Sequence, residues 1–134
     1  MALASFVNFT VDYKSDIEDK TYAGSFTAKT RLTAGDTLRQ NEQRRILLGQ
    51  YPSGAGQEES SIAWAISYLQ ARLVAPFPAW WKPEQALDLD VGLLSEVNNK
   101  CIDAINAEYE KLKKAATDAA KELGNLEDVK AAQK

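Results

Sequence analysis

A chain of 134 residues with sixteen basic and nineteen acidic side chains, a formal charge of −3 and 45% hydrophobic residues has material for one core and no global attraction to nucleic acid or an anionic membrane. It has no histidine and a single cysteine, Cys101, which removes the commonest general base, the commonest metal ligand and any internal disulfide. No apolar run approaches the roughly 20 residues that span a bilayer, and the N-terminus lacks the basic region and long apolar run of a signal peptide, so the expectation is a soluble, non-secreted protein.

In chain order, Phe9, Val11 and Tyr13 alternate with Asn8, Thr10 and Asp12, a period of two that predicts a strand over residues 5–13. Lys14 to Lys20 reads as a solvated connection, and Phe26 and Ala28 resume the alternation within residues 21–32, completing a two-stranded antiparallel hairpin. Such a hairpin is marginal alone and must lie on helices or join another chain's sheet. Thr33 and Asp36 have the spacing of a capping box, so a helix starts there; it ends at Leu48 with Gly49 as its stop. Its middle is polar, leaving Leu38 and the Ile46-Leu47-Leu48 end as anchors. The Pro/Gly-rich stretch 51–57 is expected to be a mobile loop.

A central helix follows over 58–74. Ile62, Ile66, Leu69 and Leu73 form one apolar stripe while Trp64, Tyr68 and Ala71 fall on the opposite side, which predicts a helix buried on both faces. Pro76 and Pro78 end it, and Pro83 opens a short helical turn, Glu84 to Leu87. The last helix runs from about Asp90 to Leu123, closed by Gly124; Leu94, Val97, Cys101, Ile105, Tyr109, Leu112, Ala116, Ala119 and Leu123 keep one face apolar. It is too long for so small a body to cover, so its second half should project. The fold class is therefore α+β: an N-terminal antiparallel β-hairpin (1–33), a helical core (34–89) and a long C-terminal helix (90–124) in one domain, with a charged tail, 125–134, expected to fray.

No constellation in the sequence supports catalysis, a cofactor or a metal. The carboxylates Asp16, Glu18 and Asp19 lack the glycine and terminal glutamate of a calcium loop. Gly54 and Gly56 lack the third glycine and lysine of nucleotide loops. Cys101 sits on an apolar helix face as a structural thiol. The reading is non-enzymatic. The residues singled out for partner binding are Arg44 and Arg45 on the polar helix, the Phe77, Trp80 and Trp81 cluster, and Tyr109 and Leu112 on the projecting half-helix, whose exposed stripe also predicts self-association. For the adjacent tryptophans two roles stand open, a plug at the end of the core or a binding anchor.

The order of features carries a resemblance. Tyr22, Gly24, Phe26, Leu32 and Thr33 precede a polar helix with Arg44-Arg45, a Gly/Pro loop, a helix ending in Ala71-Arg72-Leu73-Val74, and Pro78-Ala79-Trp80-Trp81. This pattern, over roughly residues 20 to 110, resembles the tail assembly chaperones of long-tailed bacteriophages. The Ala/Lys-rich end after Lys111 departs from it. The resemblance implies a small acidic protein of the host cytoplasm that holds the tape-measure protein while tail-tube subunits assemble. The alternative is a permanent virion component, a head, neck or tail protein held in a symmetric assembly and meeting tube or capsid proteins.

Overall fold

The two alternating runs become strands β1 (Phe6–Ser15) and β2 (Lys20–Lys29) in the computed structural model, which describes residues 3–49 and 56–132, with side chains as far as Gly124. The strands pair antiparallel with Phe9 opposite Phe26, and the two rings stack 5.2 Å apart. Alternation puts Phe9, Val11 and Ser15 of β1, with Tyr22, Phe26 and Ala28 of β2, on the buried face, while Asn8, Thr10, Asp12, Thr21 and Ser25 face solvent. The reversal at Asp16–Asp19 places Asp19 at φ 49°, a left-handed conformation that aspartate tolerates better than most residues.

The sheet has a third strand that the alternation does not reveal. Residues Leu73–Val74, expected to finish the central helix, form β3 and pair antiparallel with Thr27 and Ala28 on the outer edge of β2. The helix, α2, spans Gln57–Arg72 and ends where its C-terminus docks on the sheet. There the Arg72 guanidinium donates to the carbonyls of Lys29 (2.9 Å) and Thr30 (3.2 Å). Two consecutive carbonyls at the end of β2 outweigh one further helical turn.

Helix α1 (Ala34–Leu48) opens on the expected capping box, with Thr33 Oγ1 accepting from the Asp36 N–H and Asp36 Oδ2 from the Thr33 N–H, both at 3.1 Å. The Thr33 N–H, together with Arg39 and Lys29, holds the Asp36 carboxyl well below the usual carboxylate range. Leu38 and Ile46 are not anchors: they are 69% and 55% exposed, and Leu47 is the residue of α1 packed against the core. The helix stops at Gly49 as expected, but in a right-handed conformation (φ −64°). Of the expected loop 51–57, residues 51–55 lie outside the described residues, and Gln57 already belongs to α2.

After a 3-10 turn at Pro83–Asp88, helix α3 runs from Val91 to Ala132. Asp90 fixes its start: Oδ1 accepts from the Gly92 N–H at 3.0 Å, and Oδ2 from the Ser15 hydroxyl at 3.0 Å and the Tyr13 hydroxyl at 3.4 Å. A Cβ on Gly92 would lie 2.2 Å from the Tyr13 hydroxyl, so this clamp between helix and hairpin needs glycine there. Leu93, Leu94, Val97, Cys101 and Ile105 seal the helix onto the inner face of the sheet. Gly124 does not close α3. A mid-helix glycine costs about 1 kcal/mol relative to alanine, too little by itself to stop a helix with no proline behind it. At ~1.5 Å per residue the 42 residues extend roughly 63 Å, and among those whose side chains are described full burial ends at Ile105. Among the described residues no helix is long and apolar enough to cross a membrane.

Candidate interaction surface

The turn before the 3-10 segment settles the two roles left open for the tryptophans. Trp81 is 3% exposed with its ring edge-on to Phe26 at 5.7 Å, so it is core and not a partner anchor. Trp80 is half-buried, edge-on to Tyr22 and Phe26 at 5.3 and 5.6 Å, and its indole N–H donates to the Ala23 carbonyl at 2.9 Å. It thereby covers the stretch of the β2 edge that the short β3 leaves open. Gly24 makes the cover possible, because a Cβ there would lie 2.4 Å from the Pro78 ring. Phe77 also packs against the core, half-buried. The aromatics of the Pro76-to-Trp81 turn thus pack against β2 and the core, Trp81 fully and Phe77 and Trp80 in part, while Pro76 and Ala79 stay exposed.

The exposed tryptophan is on the central helix. Trp64, expected in the core, is 36% exposed. Its ring stacks on Tyr68 one turn later, centroids 4.8 Å apart, and the Arg72 guanidinium lies 4.8 Å from the Tyr68 ring centre. This ladder borders a groove of about 450 Å³ between the start of α2 and the first turns of α3, lined by Trp64, Ile62, Ala65, Val91, Leu94 and Asn98 among others. Val91 is 50% exposed there. Asn98 is 8% exposed, and its Oδ1 is buried without a hydrogen-bond partner among the described residues. Mostly apolar surface rimmed by Gln57, Glu58, Ser60, Ser61, Ser95 and Asn99 is suited to an apolar side chain that brings polar neighbours with it. Sequence reasoning missed the groove because Trp64 and Tyr68 sit at the same helical spacing as core residues. The serines before them, Ser60 and Ser61, were the available sign that this side of α2 meets water.

Beyond Ile105 the apolar stripe of α3 continues without cover. Tyr109 is 44% exposed although its hydroxyl donates to the Thr30 carbonyl at 3.2 Å; Leu112 is half-buried and Leu123 is 62% exposed. Helical spacing keeps Val91, Leu94, Asn98, Ile102, Tyr109 and Leu112 on one flank, so groove and projecting stripe form one strip. Arg44 and Arg45 stand apart from it, on the concavity of α1 that Leu38, Asn41 and Leu48 also line; Arg45 is exposed and paired with Glu42. The structure therefore does not join the α1 arginines to the tryptophan turn in a common concavity.

Among the described residues no group of three or more His, Cys, Asp or Glu side chains is placed to hold a metal. Burial pushes the Cys101 thiol up to about 11, away from the thiolate a nucleophile needs. In comparison with known proteins, no family model matches the chain, and no curated protein or solved structure matches it either.

Proposed function

We propose that this chain is a non-enzymatic morphogenesis protein of a long-tailed bacteriophage, a tail assembly chaperone that holds an amphipathic helical segment of the tape-measure protein in the host cytoplasm. The observation that carries the binding half of this reading is the strip just described. Trp64, Val91, Tyr109, Leu112 and Leu123 leave apolar surface uncovered along the α2/α3 seam and its extension. Surfaces of this kind take the apolar face of a helix, with a tryptophan as anchor. The phage half rests on the order of motifs from Tyr22 to Trp81 and on nothing else.

A second reading, a permanent virion component, is favoured by the length of α3. A helix reaching roughly 63 Å from Val91 suits a fixed place among neighbouring subunits. Co-expression of the tagged chain with tape-measure, tube and capsid proteins, together with analysis of purified particles, separates the two. The chaperone reading expects capture of the tape-measure protein, weakening by about 2 kcal/mol or more in Trp64→Ala and Leu112→Ser, and absence of the chain from particles. Stoichiometric presence in particles without tape-measure capture establishes the virion reading. Neither capture nor presence overturns both.

A further inference from the structure

Strand β1 is the edge of the sheet, and beyond the charges of Asp12 and Lys14 it carries none of the features that block pairing. Its pairing with β2 runs without a bulge from Phe6 to Ser15, and it contains neither proline nor glycine. The Thr30 N–H donates to the Ser5 carbonyl at 3.1 Å, which makes Ser5 and Thr30 a hydrogen-bonded pair. Alternation then makes Phe9/Phe26 and Val11/Gly24 such pairs and turns the N–H and C=O groups of Phe6, Asn8, Thr10, Asp12 and Lys14 away from β2. The same parity turns Ala23 and Thr27 outward on β2, where Trp80 and β3 meet them. The β2 edge is met at Ala23, Thr27 and Lys29; among the described residues no strand lies beside β1.

We propose that this edge is a homodimer interface, in which β1 pairs antiparallel with β1 of a second copy about a two-fold axis at Thr10. The strand is self-complementary in that register. Phe6 faces Lys14 of the copy and Asn8 faces Asp12, so no like charges meet and every outward backbone group from Phe6 to Lys14 finds a partner. Asn8 is already set for its role: its Oδ1 accepts from the Thr27 hydroxyl at 2.7 Å, leaving both amide hydrogens for the carboxylate of Asp12. Phe6, 54% exposed, gains the aliphatic stem of Lys14. On the inner face Val7 meets Tyr13 and Phe9 meets Val11, and Val7 and Tyr13 are the two of these that remain only half-buried in a single chain. Above the seam, Glu96, Lys100, Ala104 and Glu108 form one row of α3, placed on the β1 side by the Glu108 carboxylate, which accepts from the Ala4 N–H at 3.1 Å.

The interface is independent of the partner-binding strip, and sedimentation equilibrium on the full chain tests it. The wild type is expected at twice 14.8 kDa. Asn8→Asp keeps the acceptor for Thr27 but sets carboxylate against carboxylate at two symmetry-related places, and should raise the dissociation constant about tenfold. Asn8→Asp/Asp12→Asn restores the complementary pair and should return the constant to within a few-fold of wild type, whereas Leu112→Ser should leave it unchanged. A wild type that stays monomeric up to about 1 mM overturns the proposal, as does a dimer indifferent to Asn8→Asp, a double variant that does not recover, or a dimer dissolved by Leu112→Ser instead.

Discussion

The two halves of α3 carry the same apolar spacing and meet different fates. From Leu93 to Ile105 the stripe is sealed against the sheet and α2, while from Tyr109 to Leu123 it is open. The composition changes with the fate. Leu, Val and Ile dominate the buried half, and small alanines among lysines the projecting one. Periodicity thus names the face a helix turns toward its partner, and residue size indicates whether that partner is its own chain. On the proposed reading the first half is folding surface except for the flank of Val91, Leu94 and Asn98 that lines the groove, and the second is binding surface.

Breaking the buried side should have the largest effect. Trp81→Ala leaves a large cavity beside Phe26 and should cost ~3–5 kcal/mol in denaturant unfolding; a loss below 1 kcal/mol would return Trp81 to the surface. Leu93→Ala on the sealed half of α3 should cost ~2–5 kcal/mol by the same measurement. Trp80→Phe keeps most of the ring and removes the N–H to Ala23, so the loss should be ~0.5–1.5 kcal/mol.

Asp36 sharpens the comparison from the side of charge. Its folded pKa lies below the unfolded value, so its contribution is present above the unfolded pKa and lost as pH falls through the folded one. Unfolding midpoints of the wild type should therefore drop between about pH 5 and pH 2, and Asp36→Asn should flatten that drop. An unchanged acid slope in the variant would mean that the Thr33, Lys29 and Arg39 contacts do not hold the carboxylate. The smallest effect belongs to the open half of α3. Leu112→Ser should change stability by no more than ~0.5 kcal/mol.

Much of this architecture is legible in the residues. The change from period two to helical spacing near Thr33, the Thr33/Asp36 box and the stripe of α3 all follow from side-chain alternation and capping chemistry, and each is present. Strand β3 was not legible, because Leu73 and Val74 continue the helical pattern of α2 and only the docking of Arg72 on Lys29 and Thr30 ends it. The tryptophans were not separable either. Trp80 and Trp81 are adjacent in sequence, and what divides them is the open edge at Ala23, a tertiary feature. The groove stayed hidden for a related reason: spacing placed Trp64 on a second face of α2, but not its exposure there.

Hydrogen exchange along α3 in a dilute solution of the isolated chain tests the central claim, that one helix is divided between folding and binding, most directly. Amides from Val97 to Ile105 should exchange only through global unfolding, and those from Leu112 to Leu123 several orders of magnitude faster through local fraying. Protection of the distal amides equal to that of the proximal ones would show that the chain covers its own stripe, and would contradict the account.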